Sequence, residues 1–146
     1  MIVRLICVCL LFLALFVCSE ELSVEQQIIR TINQMEELAE AGERRDFMKF
    51  VAGDFEGQLG RLTKEEFRRF MILQWNENHR LNAQLGPINV RELGEGMAAA
   101  DFSGLITGGR GLLPERGEMF SFETSWLKVD GQWQMISAIW EPVRLD

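Results

Sequence analysis

The chain has 146 residues, of which 22 are acidic and 15 are basic, and its formal net charge is −7. A surface this acidic repels phosphate backbones, so we expect no nucleic-acid partner. The length suits one domain of common size, and 10 Phe and 4 Trp are enough for a packed core.

The first 19 residues have the zones of a secretory signal peptide. A positive segment ending at Arg4 is followed by an apolar run over 5–17 and by polar residues from Ser19. That run is shorter than the roughly 17 to 25 residues that span a bilayer. We therefore predict cleavage after Ser19, export to the periplasm or beyond, and a single domain over 20–146. The alternatives are a retained N-terminal anchor or a buried helix.

All three cysteines, Cys7, Cys9 and Cys18, lie in this leader or at its edge. The mature domain is therefore expected to have no disulfide and to depend on its core for stability. A cysteine at the end of a leader can also be the acylated first residue of a bacterial lipoprotein. Val17 stands where that signal usually has Gly, Ala or Ser, so we expect a membrane partner only if Cys18 is lipidated.

The first half of the mature chain predicts three helices. Ser23 and Thr63 each begin a capping box, followed by apolar residues at helical spacing. The first helix ends near Gly42, and the last reaches about His79. Between them, a short helix is predicted over 45–51. The glycine-rich stretch 54–61 indicates a connection.

From Asn82 onward, runs rich in β-forming residues alternate with turn signals. Strands are predicted over 83–93, 97–107, 118–129 and 132–143. Asp130-Gly131 is a strong signal for a two-residue hairpin turn. Helices followed by an antiparallel meander indicate an α+β fold, in which the sheet curls over three N-terminal helices.

The hairpin register follows if Asp130 and Gly131 are the two loop residues. One mostly apolar face, expected to look towards the helices, then carries Phe120, Phe122, Thr124, Trp126, Met135, Ser137, Ile139 and Glu141. The opposite face is partly apolar because of Leu127, Ile136 and Trp140. A partner could cover that face, and we expect a homodimer through it.

Three stretches together resemble the nuclear transport factor 2-like superfamily, which includes ketosteroid isomerase and the SnoaL-like proteins. They are the opening helix with Ile32 and Met35, the segment 45–55, and the segment 126–136 with its Asp-Gly-x-Trp hairpin. The resemblance implies a cone-shaped fold with an apolar pocket between sheet and helices, often dimeric. It does not imply catalysis, because the fold serves enzymes, binding modules and assembly domains alike.

The hairpin register and the third helix together predict the walls of this pocket. Its residues are Phe67, Phe70 and Trp75 on the helix, and Phe122, Trp126, Met135 and Ile139 on the sheet. An open cavity there would take a small hydrophobic ligand.

The resemblance implies catalytic groups that this sequence lacks in part. The isomerases use a carboxylate base and a tyrosine, and the sequence contains no tyrosine. Dehydratase members pair histidine with aspartate, and His79, the only histidine, is interpreted as a contact at a helix end. One histidine and no mature cysteine cannot supply the usual zinc ligands, so we expect neither metal nor cofactor.

Two carboxylates, Asp101 and Glu141, remain as catalytic candidates. Asp101 lies among small and apolar neighbours, although it could equally belong to the outer face. Glu141 falls on the predicted inner face, where an ion pair with Arg110 or Arg116 is the simpler interpretation. Asp54 is interpreted as a turn or cap residue.

The loop 108–117 is rich in glycine and contains Arg110 and Arg116. It could bind an anion, although a plain connection that closes the cone or touches a partner subunit is the simpler interpretation. The function favoured by the sequence is non-catalytic binding of a small ligand, or protein interaction. The alternatives are an isomerase, dehydratase or hydrolase using Asp101 or Glu141, and an envelope-assembly domain with a filled pocket.

Overall fold

The computed structural model describes residues 21–78, 80–109 and 116–144, which form three helices and seven strands. The helices are α1 (Val24–Ala41), α2 (Arg44–Lys49) and α3 (Lys64–Glu77). The strands are β1 (Val51–Gly57), β2 (Leu62–Thr63), β3 (Arg80–Leu85), β4 (Asn89–Gly94), β5 (Met97–Gly109), β6 (Arg116–Val129) and β7 (Gln132–Pro142). The α+β prediction is confirmed. The predicted leader, His79 and Arg110 lie outside the described residues.

Both predicted capping boxes are present. Ser23 Oγ accepts from the backbone of Gln26 at 3.2 Å, and the Gln26 side chain accepts from the backbone of Ser23. Thr63 and Glu66 make the same reciprocal pair at the start of α3. Gly42 ends α1 with φ 71°, a left-handed conformation that glycine adopts without strain. The capping residues therefore fix the starts of both long helices.

The sheet order is β2-β1-β7-β6-β5-β3, with β4 also paired to β5. Its strands are antiparallel except for β1 and β7, which run parallel. The result is a large curved mixed sheet with the helices packed against one side. Helix α1 contacts β3 and β4, while α3 contacts β1.

Strand β1 corrects the prediction of a helix over 45–51 followed by a connection. Helix α2 ends at Lys49, and the stretch 51–57 is a strand whose Val51, Ala52 and Phe55 are buried. Gly57 lies so close to Phe55 that an added Cβ would stand 3.0 Å from the ring. The glycines hide the alternating pattern of a strand in the sequence, but close packing requires a small residue here.

The predicted strand 83–93 is two strands, because Pro87 interrupts it. Proline has no N–H to donate to a ladder, so pairing stops there. Strand β3 pairs with the second half of β5, and β4 pairs with the first half. The long strand β5 thus pairs with both short strands, β3 and β4.

A β-bulge in β7 changes the predicted register of the last hairpin. Trp126 pairs with Met135 as expected, but Ser125 pairs with Ser137, so Ile136 is an extra residue. Side chains beyond the bulge therefore change faces.

Beyond this bulge, the predicted faces of four side chains are wrong, and one of them is Ser137, which pairs with Ser125 on the outer face instead of facing the helices. Trp140, predicted to lie on the outer face, points towards the helices and contacts Phe67 and Phe70. Ile139 and Glu141, predicted to lie on the inner face, are on the outer one, where Ile139 pairs with Glu123.

The core lies between the helices and the concave face of the sheet. Its largest fully buried side chains are Trp126, Phe55, Ile28 and Val51. Among the described residues, no helix is both long enough and apolar enough to cross a membrane.

Candidate functional site

A cavity of about 250 Å³ lies between α1, α3 and the concave face of the sheet. Its buried lining residues are Ile32, Met35, Phe47, Phe67, Thr124, Trp126, Met135 and Ala138. Glu40 also lines it and is exposed, so the cavity reaches solvent beside this residue. The volume would hold roughly eight waters at about 30 Å³ each, yet the walls are almost wholly apolar.

Five of the seven predicted pocket residues line this cavity: Phe67, Phe70, Phe122, Trp126 and Met135. Two do not. Trp75 packs behind the wall, where its Nε1 donates to the Ala39 carbonyl at 2.8 Å. Ile139 lies on the outer face because of the bulge in β7.

Trp140 takes the position predicted for Ile139. Its ring centroid lies 5.5 Å from that of Phe70 and 5.8 Å from that of Phe67. The last strand therefore contributes a large aromatic side chain to the cavity. This contribution could not be predicted from the sequence, because a bulge depends on tertiary packing rather than on the local pattern.

Thr124 is a buried polar residue in the cavity wall, and its hydroxyl makes two hydrogen bonds. It donates to the Ala100 carbonyl at 3.0 Å and accepts from Trp126 Nε1 at 2.9 Å. These two bonds satisfy the threonine and the indole together. The arrangement fixes the orientation of Trp126 in the wall.

Two glutamates on α1, Glu36 and Glu40, give the cavity its charge. They are four residues apart and so lie side by side on the helix. Burial raises the pKa of the Glu36 carboxyl, and the negative charge of Glu40 raises it further. Glu40 accepts a 2.7 Å hydrogen bond from the backbone of Ala83 on β3.

Neither glutamate is among the site residues predicted from the sequence, although the sequence contains a signal for both. Ile32, Glu36 and Glu40 follow at intervals of four, so the acidic pair continues the apolar stripe of α1. Carboxylates on an apolar stripe mark a place where a helix faces a cavity rather than a closed core.

No family model matches the sequence, and no curated protein matches it. Solved structures share its fold. Bd1075 from Bdellovibrio bacteriovorus aligns over 83% of this chain with a TM-score of 0.71 and 9% identity. This chain spans 41% of that protein.

Two further structures match over most of both chains. A putative scytalone dehydratase from Novosphingobium aromaticivorans has a TM-score of 0.70 and 13% identity, over 82% of this chain and 84% of that one. A nuclear transport factor 2-like protein of unknown function from Pseudomonas putida has a TM-score of 0.70 and 15% identity, over 86% and 92%. The chain has the nuclear transport factor 2-like fold. At these identities the likeness extends to the fold alone.

Within this nuclear transport factor 2-like fold, the two catalytic candidates lie away from the cavity. Asp101 pairs with Glu123 on the outer face and forms a 3.1 Å ion pair with Arg91. Glu141 is exposed on the same face. Its expected partner Arg116 forms no ion pair with it in the described part of the chain. Asp54 is exposed within β1 rather than in a turn.

A metal centre would need several close ligands. Within residues 21–78, 80–109 and 116–144, no three His, Cys, Asp or Glu side chains lie close enough to hold an ion. The loop proposed to bind an anion falls largely outside the described residues. The cavity with its acidic side is therefore the candidate site of this nuclear transport factor 2-like domain.

Proposed function

We propose that this chain is exported and that its domain binds a small apolar molecule, which it releases chemically unchanged. The observation that carries the proposal is the cavity of about 250 Å³ with its aromatic and aliphatic lining. Ligand pockets typically measure roughly 300–1,000 Å³, so a ligand here is small.

The chemistry of the cavity supports binding rather than turnover. The Thr124 hydroxyl already makes two hydrogen bonds, and Glu40 accepts one from Ala83. A buried apolar wall gains affinity by removing ligand surface from water, at about 25 cal/mol per Å². After the cost of association, an eight-carbon chain would bind with a dissociation constant on the order of 100 µM.

Titration with octanol tests this proposal. Trp126 and Trp140 line the cavity, so their fluorescence should change on saturation. Ala83→Leu, which fills the cavity from β3, should weaken octanol binding. Gln84→Leu is the matched control, because Gln84 is the next residue on the strand and is exposed. Equal affinities in these two variants, or no saturable signal in the wild type, would refute binding in the cavity.

A second candidate function is acid–base catalysis by Glu36. It is favoured by one observation, the raised pKa of a carboxyl beside an apolar cavity. Some solved structures of this fold, such as the putative scytalone dehydratase, are named for such chemistry. Recovery of a bound ligand unchanged supports the binding function. Turnover that disappears in Glu36→Gln would support the enzyme instead.

A further inference from the structure

The charged side chains that line the cavity among the described residues are all acidic. Glu36 and Glu40 line it, whereas neither Lys nor Arg does so among the described residues. The ion pairs of the described chain are Lys49–Asp46, Arg68–Glu65 and Arg91–Asp101, and neither cavity glutamate takes part in one. A ligand in this cavity therefore meets two negative groups that no described cationic side chain neutralises.

The apolar wall is rich in aromatic side chains. Eight of them line the cavity: Phe47, Phe67, Phe70, Phe102, Phe120, Phe122, Trp126 and Trp140. Phe102 and Phe122, for example, have stacked rings with centroids 5.0 Å apart. The lining thus offers apolar surface for the body of a ligand, while the two carboxylates favour a cation as its head group.

Three kinds of ligand head group can be compared at this position. A carboxylate would be repelled by Glu36 and Glu40, and an alcohol carries no charge and could donate a single hydrogen bond. An ammonium group has three donors, and its hydrogen bonds to carboxylates are charge-assisted and stronger. The half-buried Gln74, which also lines the cavity, adds a carbonyl acceptor.

We propose that the ligand is an organic ammonium ion, with its apolar body among the aromatic rings and its protonated amine against Glu36 and Glu40. This inference rests on the proposed function, since it assumes that the cavity takes a ligand. The small volume suits a compact body such as an alkyl chain or an aryl group.

Octylamine, octanol and octanoate test the inference, because they share one apolar chain and differ in the head group. We expect the wild type to bind octylamine about five-fold more tightly than octanol, a modest factor because Glu36 is only half-buried. Octanoate should bind most weakly. Added salt should reduce the preference for octylamine and leave octanol unchanged.

Three variants show where the amine binds. Glu36→Gln should reduce the ratio of octylamine to octanol affinity, because it removes one of the two negative charges beside the amine. Glu92→Gln removes an exposed charge on β4 and should leave the ratio as in the wild type. Ala83→Leu should weaken both ligands, because both occupy the cavity.

The outcomes separate this inference from the proposed function. If octanol binds in the cavity but octylamine binds no better, the ammonium inference is wrong and the binding function stands. If octylamine affinity is insensitive to Ala83→Leu, it reflects adsorption to an acidic surface, which also overturns the inference. If none of the three probes binds, both proposals fail.

Discussion

The indole of Trp140 on β7 lies against the ring of Phe70 on α3, with centroids 5.5 Å apart. Replacing Trp140 with Lys would place a charge among aromatic rings, so we expect the free energy of unfolding to fall by about 3 kcal/mol or more. Trp140→Phe keeps an aromatic ring and should lose about 1.5 kcal/mol or less. Urea denaturation followed by circular dichroism measures both. Equal stability of Trp140→Lys and the wild type would mean that this side chain does not face the helices.

Thr124 connects two buried groups, so its hydroxyl should matter more than its methyl. Thr124→Val keeps the shape but leaves Trp126 Nε1 and the Ala100 carbonyl without their partner. We expect a loss of about 1–3 kcal/mol in unfolding free energy. Thr124→Ser is the control that retains the hydroxyl.

A double-mutant cycle with Trp126→Phe isolates this hydrogen bond from the loss of packing. The phenylalanine ring has no N–H that could lose a hydrogen-bond partner. Thr124→Val should therefore reduce the free energy of unfolding less in that background than in the wild type. Additive effects of the two substitutions would contradict a bond between the two side chains.

Glu36 gives stability a pH dependence of known sign. Burial and the nearby Glu40 raise its pKa above the ordinary value of 4.5, so the folded state holds this proton more tightly than the unfolded state. Its contribution to stability is therefore fully present below pH 4.5 and is lost as the pH rises through the raised pKa. At neutral pH the charged carboxylate opposes folding.

Glu36→Gln should consequently be slightly more stable than the wild type at neutral pH, and this advantage should vanish below pH 4.5. Urea midpoints at the two pH values measure the difference. Glu92→Gln, on the exposed side of β4, should show no comparable gain. A variant that is less stable at neutral pH would show that the Glu36 charge has a stabilising partner.

The sequence predicted the helices and the hairpin turn because those features depend on neighbouring residues. Capping by Ser23 and Thr63 is local chemistry, and Asp130-Gly131 forms a turn at the ends of β6 and β7. Part of the cavity wall followed from these elements, since Phe67 and Trp126 lie on faces set by simple periodicity. Local sequence patterns therefore predicted which two elements, the third helix and the last hairpin, contribute to the cavity.

The errors in the predicted site have a common physical origin in long-range pairing. The bulge at Ile136 and the parallel pairing of β1 with β7 join distant parts of the chain. Neither leaves a periodic signal, and the bulge exchanged Ile139 for Trp140 in the cavity. Glu36 was missed for a different reason, because its position at the end of the apolar stripe of α1 identifies a cavity wall only once the sheet is placed opposite.

The proposal that the chain is exported rests on the zones of residues 1–19, which lie outside the described structure. We expect the secreted or periplasmic product to begin near Glu20 when its N-terminus is sequenced. Cys18→Ser separates the two processing routes, because it should leave simple cleavage unaffected but abolish any lipid attachment. An intact Met1 in the membrane fraction would instead show that the leader is retained.

The outer face of the sheet remains the surface through which we expect a homodimer to form. Although Trp140 is not on this face, Leu127 and Ile139 give it an apolar strip, which association would remove from water. Leu127→Glu should reduce the mass in solution to that of a monomer, as measured by sedimentation equilibrium. Gln132→Glu is the control. It adds the same charge at an exposed position beside the hairpin turn, away from the strip, and should leave the dimer intact. A wild-type chain that is monomeric at high micromolar concentration would refute the dimer. The cavity proposals would be unaffected, since the cavity lies on the opposite side of the sheet.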